Sequence, residues 1–113
     1  MKYKTLVGEL DIKKADSFLT RLKGLLGSKE LPAHSALLIS PCNSVHTLGM
    51  RYSIDIICLD RQGVVLAIKK NLRPNRFFVG PKGTYKIVEF SAMAVSISES
   101  LIGQQFVLEI SNE

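Results

Sequence analysis

The fold is decided by residues 54–69, which run Ile54-Asp-Ile-Ile-Cys-Leu-Asp-Arg-Gln-Gly-Val-Val-Leu-Ala-Ile-Lys69. Two runs rich in β-branched and aliphatic residues, 54–59 and 64–69, are separated by four residues that end in Gly63. A short connector with glycine in its last position is typical of a type I turn followed by a glycine bulge. The stretch therefore predicts two antiparallel strands joined as a hairpin.

Further strands are predicted on both sides of this hairpin, where short β-rich runs lie between turn residues. Before it they cover residues 2–7 and 36–39, and after it they cover 85–90 and 106–110. Residues 77–79 allow two interpretations, a short edge strand or an anchor that pins their loop to the body of the domain.

One segment near the N-terminus has a helical period instead. Glycine at position 24 or 27 can end such a helix in the left-handed conformation, and basic residues on its polar face suit its C-terminal end. We therefore expect one N-terminal amphipathic helix that packs on the sheet. Its apolar stripe consists of Ala15, Phe18, Leu19, Leu22, Leu25 and Leu26.

These patterns predict one α+β, mainly β domain over residues 1–113: a compact antiparallel barrel or twisted sheet of about six short strands with one helix. The N-terminus has no apolar signal-peptide core, and no apolar run approaches the length of a membrane span. Two cysteines without a secretion signal are typical of reduced thiols. We therefore expect a cytoplasmic protein.

The chain is basic, with a net charge of +5 and an isoelectric point near 9.4. One group of cations lies in residues 69–83, a loop with two prolines that is long for a compact domain, and such loops are often functional. The charge permits attraction to an acidic partner without specifying one, and a solvated surface is the alternative. This group comprises Lys69, Lys70, Arg73, Arg76 and Lys82.

Cys42 and His46 suggest a metal site or a Cys–His nucleophile. Pro41, Val45 and Thr47 favour an extended chain around them. Four residues of a strand span roughly 13 Å, too far for a shared metal ion or a thiol–imidazole hydrogen bond. We therefore expect no metal and no cofactor, and a thiol that is buried or half-buried.

Asp55 is the more informative residue, because it interrupts an apolar run where an unpaired carboxylate would be costly to desolvate. Arg51, Arg21 and the backbone N–H groups of a nearby turn are its candidate partners. A structural buried network and a functional carboxylate with a shifted pKa both remain open. Glu89, between Val88 and Phe90, raises the same question.

The stretch Cys42-Asn-Ser-Val-His-Thr-Leu-Gly-Met-Arg-Tyr-Ser-Ile-Asp-Ile-Ile-Cys-Leu-Asp60, followed by Gly63, resembles the bacterial and archaeal family called domain of unknown function family 192. The resemblance extends upstream to Ala15 and downstream to Gly103. It implies no activity. The resemblance implies that the positions shared with the family are Arg21, Gly24, Met50, Arg51, Asp55 and Glu89.

Three functions remain open. The chain lacks a phosphate-binding glycine loop and a nucleophile elbow, so we favour a non-catalytic binding or assembly module over an enzyme. Its groove would lie beside residues 41–52 and the basic 69–83 loop, for a protein or acidic ligand. The alternatives are a small-molecule enzyme or ligand site at Asp55 and Arg51, with His46 as a further candidate, and a weak nucleic-acid binder, although RNA-binding aromatic signatures are absent.

Overall fold

The computed structural model describes residues 1–15 and 31–111, and these fold as strands connected by turns. A short 3₁₀ turn, Glu99–Leu101, is the only helical element in this part of the chain. The strands are β1 (Lys2–Thr5), β2 (Gly8–Ala15), β3 (Ser35–Ile39), β4 (Ser44–His46), β5 (Ile54–Leu59), β6 (Val65–Leu72), β7 (Phe77–Val79), β8 (Lys86–Ser91) and β9 (Glu109–Ile110).

Seven of these strands form one mixed sheet in the order β6-β5-β8-β3-β2-β1-β9. The β2–β3 pair is parallel, with Ile12 opposite Ala36, whereas the other neighbours are antiparallel. The remaining two strands, β4 and β7, pair with each other as a separate two-stranded ribbon.

The predicted hairpin of β5 and β6 is confirmed, since the two strands pair antiparallel across residues 60–64. The carboxylate of Asp60 holds the turn by accepting hydrogen bonds from the backbone N–H of Gln62 at 2.8 Å and of Val64 at 2.9 Å. Gly63 adopts a φ of 85°, which L side chains rarely reach. The turn thus needs both the acidic residue and the glycine.

The large sheet is apolar on both faces, and this explains why every residue of β5 is buried. Ile57, Leu59 and Phe90 belong to one cluster, which the C-terminal segment covers with Val95, Ile97 and Phe106. Ile54, Ile56 and Cys58 belong to the other, which includes Val45 of the ribbon and has Phe78 packed against it. The ribbon is therefore a second layer on the sheet.

The predicted fold class is wrong in three respects. The sheet is mixed instead of antiparallel, because β2 and β3 pair in parallel. The α+β description fails because the described residues contain no α-helix, and the barrel fails because the edge strands β6 and β9 do not pair with each other in that part of the chain. Ala15, expected to begin the helical stripe, ends β2. The rest of the predicted helix lies in residues 16–30, outside the described residues.

The number of strands was also underestimated, because the described residues form nine instead of about six. Residues 77–79 do form a strand, and residues 106–110 form one only at Glu109–Ile110. Across residues 1–15 and 31–111, none of the helical structure has the length and hydrophobicity required to cross a lipid bilayer.

Candidate functional site

Thr47 ties the basic loop to the ribbon. Its fully buried hydroxyl donates a hydrogen bond to the carbonyl of Arg73 at 2.5 Å and accepts one from the backbone N–H of Arg76 at 3.0 Å. Its backbone N–H also donates to the carbonyl of Arg76, at 2.9 Å, and its own carbonyl accepts from Asn75, at 2.8 Å. One small polar side chain therefore fixes the path of the 73–76 segment.

Asn75 completes this connection from the loop side. Its side-chain oxygen accepts a hydrogen bond from the backbone N–H of Gly49 at 3.0 Å. Both residues have a positive φ, 61° for Asn75 and 79° for Gly49, a conformation that glycine and asparagine tolerate better than other residues. The sequence thus supplies suitable residues at two left-handed positions beside the ribbon.

The ribbon turns one face to the sheet and the other to solvent. Val45 pairs with Phe78, and these two side chains pack on the apolar cluster beneath. Side chains alternate along a strand, so the neighbouring positions on β7 point outward. Phe77 is 72% exposed and Val79 is 73% exposed.

His46 contributes to the outer face. It pairs with Phe77 across the ribbon, and the two rings lie 6.1 Å apart between centroids with an interplanar angle of 53°. Its Nδ1 accepts a hydrogen bond from the backbone N–H of Leu48 at 3.2 Å. The imidazole is thereby positioned as part of an apolar surface, beside a phenyl ring.

The 69–83 loop, which includes β7, is rich in exposed cations, and none of them forms an ion pair within the part of the chain that the structure describes. Residues 61–88 hold seven of the chain's lysines and arginines and no aspartate or glutamate. The one ion pair within residues 1–15 and 31–111 joins the Met1 amino group to Asp11 at 3.0 Å. We call the outer face of the ribbon and its cations the ribbon surface, which comprises Ser44, His46, Phe77, Val79, Arg73, Arg76 and Lys82; Lys69 and Lys70 are exposed near the end of β6.

Asp55 lies away from this surface, on the face of β5 that it shares with Ile57 and Leu59. It is 1% exposed, and both of its carboxylate oxygens accept backbone hydrogen bonds. Oδ1 binds the N–H of Asn71 at 2.8 Å and Oδ2 binds the N–H of Met93 at 3.0 Å. Of the candidate partners, backbone donors are the ones observed.

The other predicted site residues do not gather around Asp55. Arg51 is exposed, and no ion pair involves it in the described part of the chain. Met50 is buried in the apolar cluster beneath the ribbon. Glu89 is buried and pairs with Leu37 and Ile56, so it lies on the opposite face of the sheet from Asp55. Arg21 falls outside the described residues.

Cys58 contributes little reactivity in this arrangement. Burial raises the pKa of the Cys58 thiol from its ordinary 9.0 to about 11, a side-chain hydrogen bond with Thr84 opposes this effect, and the nearby Cys42 adds to it. Cys42 is half-buried, and its thiol donates to the carbonyl of Ser44 at 3.1 Å. A thiol with a raised pKa carries little thiolate near neutrality.

The described residues contain no cluster of side chains suited to binding a metal ion. No group of three His, Cys, Asp or Glu side chains in residues 1–15 and 31–111 is placed to bind a metal ion.

The sequence did not single out four residues that hold the loop or Asp55 in place: Thr47, Asn71, Asn75 and Met93. Thr47 and Asn75 bond to backbone groups through their side chains, and Asn71 and Met93 donate their backbone N–H groups to Asp55. Only the two asparagines carried a signal, since asparagine favours turns and left-handed backbone.

The fold and the ribbon surface define a class, an open mixed-sheet domain with an exposed, cationic two-stranded ribbon. The chain belongs to the DUF192 family, described as "Uncharacterized ACR", which it matches over residues 2–111. The resemblance seen in the sequence is thereby confirmed, and the family has no assigned function.

Two relatives carry the name UPF0127 protein. The one from Thermococcus sibiricus is 30% identical over 107 residues, covering 90% of this chain and 68% of the relative. The one from Pyrococcus furiosus is 30% identical over 102 residues, covering 81% of this chain and 85% of the relative. Neither name describes an activity.

Two crystal structures share the fold. A protein of unknown function from Novosphingobium aromaticivorans matches with a TM-score of 0.69 at 16% identity, covering 96% of this chain and 80% of that one. A protein from Sinorhizobium meliloti, provisionally described as a transcription regulator, matches with a TM-score of 0.72 at 14% identity, covering 96% and 89%. At such identities the likeness concerns the fold alone.

Proposed function

We propose that this protein is a non-catalytic binding module, and that the ribbon surface holds an acidic segment of a partner protein. One observation carries the proposal. The exposed apolar side chains of Phe77 and Val79 lie in the same segment as cations that have no carboxylate partner in the described residues. The proposal places the protein in the cytoplasm, where Cys42 and Cys58 would stay reduced.

The physical argument combines two contributions. Exposed aromatic side chains that become buried supply much of the affinity of protein interfaces, and complementary charge supplies orientation and a fast association rate. Phe77 would provide the first contribution, and Arg73, Arg76 and Lys82 the second. An acidic partner suits this surface because residues 61–88 contain no carboxylate to repel it or to compete for the cations.

The arrangement around Asp55 supports a structural role better than a catalytic one. Both carboxylate oxygens already accept backbone hydrogen bonds, and Arg51 is exposed and forms no ion pair with Asp55. The small-molecule enzyme centred on these residues therefore receives no specific support, and the binding module remains the conclusion.

The test is a titration of the protein with a fluorescein-labelled polyglutamate peptide, followed by anisotropy. The double substitution Arg73→Gln and Arg76→Gln should weaken binding by about tenfold or more and reduce its dependence on salt. Lys2→Gln with Lys4→Gln removes two exposed cations from β1 and serves as the matched control. Equal affinities of the two double variants would contradict the proposal.

The same cations could instead bind the phosphates of a nucleic acid, and one structural neighbour is provisionally described as a transcription regulator. Titrations with single-stranded and duplex oligonucleotides separate the two. Phosphate contacts give an affinity that falls steeply with salt. Binding of an oligonucleotide more tightly than polyglutamate, with loss in the Arg73 and Arg76 variant, would replace the acidic protein by a nucleic acid.

A further inference from the structure

We infer that the partner segment binds as an added β-strand along the free edge of β7. This inference rests on the proposed function and names how the acidic segment is held. It concerns the backbone of Phe77 and Val79, whereas the proposed function concerns the neighbouring cations. The two can therefore fail separately.

The hydrogen bonds of the ribbon identify which backbone groups of β7 are free. The N–H of Gly80 donates to the carbonyl of Asn43 at 2.8 Å, and the carbonyl of Arg76 accepts from the N–H of Thr47 at 2.9 Å. Phe78 lies between these positions, opposite Val45. Bonded pairs alternate along an antiparallel ladder, so residues 76, 78 and 80 face β4.

Phe77 and Val79 consequently direct their backbone N–H and carbonyl groups to the other edge of β7. Within residues 1–15 and 31–111, β4 is the sole strand that pairs with β7. An edge strand with unpaired groups is a template for pairing with another chain, and strand addition is a recurring mode of peptide recognition. Hydrogen bonds from a peptide backbone would satisfy the outward N–H and carbonyl groups of Phe77 and Val79.

The side chains on the same strand indicate the composition of the added segment. Phe77 and Val79 stand on one face and are largely exposed, so a β-branched residue opposite them would bury apolar area as a cross-strand pair. Arg73, Arg76 and Lys82 lie at the two ends of β7 in the sequence. The best match is an extended segment that alternates acidic and β-branched residues.

Two other occupants fit less well. A second copy of this chain pairing β7 with β7 would bring Arg76 and Lys82 of both copies together, and like charges that face each other are unfavourable. A nucleic-acid backbone offers no row of N–H and carbonyl groups to match those of β7. The free strand edge therefore favours a peptide backbone.

The central experiment compares Val79→Pro with Val79→Ala. Proline removes the outward N–H of residue 79 and leaves the bonds to β4 in place, because proline is tolerated on an edge strand where its nitrogen faces solvent. Alanine removes the side chain and keeps the N–H. The probe is a short fluorescein-labelled peptide in which glutamate alternates with valine or threonine, titrated by anisotropy.

If the peptide adds as a strand, Val79→Pro should weaken its binding by about tenfold or more, and Val79→Ala by less. Circular dichroism melting of both variants controls for folding. In the unsubstituted protein, amide hydrogen exchange followed by NMR gives an independent readout: bound peptide should slow exchange at Phe77 and Val79, and leave that of Phe78, already bonded to β4, nearly unchanged.

The outcomes distinguish the two proposals. If Val79→Pro binds the peptide as well as Val79→Ala does, and the amides of Phe77 and Val79 gain no protection, strand addition is overturned. Loss of binding in the Arg73 and Arg76 variant would in that case still support the acidic-partner function. Light scattering that shows a dimer lost in Val79→Pro would assign the edge to a second copy, and would also overturn the inference.

Discussion

The carboxylate of Asp55 accepts a hydrogen bond from the backbone N–H of Asn71, 2.8 Å away on the neighbouring strand. Asn71 has a φ of 55° and lies where the register of β5 and β6 shifts between Ile54 and Ile56. The second carboxylate oxygen binds Met93, whose φ is 67°. One buried side chain thus holds two left-handed residues, Asn71 within β6 and Met93 just after β8.

Substitution of Asp55 should therefore destabilise the protein strongly. Asp55→Ala removes both charge-assisted hydrogen bonds and leaves two partly buried N–H groups without their partner, so we expect a loss on the order of 3 to 5 kcal/mol in the free energy of unfolding. Asp55→Asn keeps the shape but turns an amide N–H₂ toward one donor, and should be intermediate. Urea unfolding measures both.

The control for these variants is Glu109→Gln, which alters an exposed carboxylate at the edge of the sheet and should change stability by less than about 0.5 kcal/mol. An Asp55→Ala protein as stable as the Glu109→Gln protein would contradict the structural role. In that case a functional role for the carboxylate would become the better explanation.

Thr47 provides a second test, which links stability to the ribbon surface. Thr47→Val keeps the shape of the side chain but leaves the N–H of Arg76 without the bond at 3.0 Å from the hydroxyl, so it should cost about 1 to 3 kcal/mol. It should also release the 73–76 segment and weaken binding of the acidic peptide. Thr47→Ser retains the hydroxyl and is the matched control.

Hydrogen exchange at the amide of Arg76 separates the two effects of Thr47. Exchange should be faster in Thr47→Val and nearly unchanged in Thr47→Ser. If Thr47→Val unfolds at the same urea concentration as Thr47→Ser and protects the Arg76 amide equally, then the hydroxyl does not anchor the loop.

Local features of the sequence were predictable, because they depend on residues close together in the chain. The β5–β6 hairpin follows from two apolar runs and the Asp60–Gly63 turn, whose side-chain and glycine requirements are both met. By contrast, Gly8–Ala15 alternates and forms β2, yet the apolar spacing that begins at Ala15 predicted a helix. Periodicity alone does not say where one element ends and the next begins.

The features that were missed depend on pairing between distant segments. The parallel pairing of β2 with β3 and the antiparallel pairing of β4 with β7 join residues whose sequence patterns say nothing about each other. The Asp55 partners are backbone N–H groups, which every residue except proline carries, so no side-chain pattern could single out Asn71 or Met93. The apolar run around Asp55 did indicate that the carboxylate needed a partner.

Cys58 makes the stability depend on pH. Its folded pKa is raised to about 11 from an ordinary 9.0, chiefly by burial, so the folded state holds its proton after the unfolded state has lost it. The stabilisation is complete below pH 9 and is lost as the pH rises to 11 and above, amounting to about 2 to 3 kcal/mol. Urea unfolding at several pH values in this window measures it.

Cys58→Ala is the control for this pH dependence, since lysines and tyrosines titrate in the same range. The difference in unfolding free energy between the unsubstituted protein and Cys58→Ala should shrink between pH 9 and 11. A constant difference would contradict the raised pKa. In the same window, alkylation by iodoacetamide should modify the half-buried Cys42 before the buried Cys58.

At Met93 we expect a substitution that relieves backbone strain to raise stability, because this residue is strained and exposed. Its side chain is 90% exposed and its φ of 67° places it in the left-handed region, where an L residue is disfavoured by roughly 1 kcal/mol or more. Glycine removes that strain, although it adds freedom to the unfolded chain. Met93→Gly should therefore exceed Met93→Ala in stability by about 0.5 to 1 kcal/mol. Both variants keep the N–H that donates to Asp55, so the comparison isolates the backbone strain, and a Met93→Ala protein more stable than Met93→Gly by urea unfolding would show that the strain is absent.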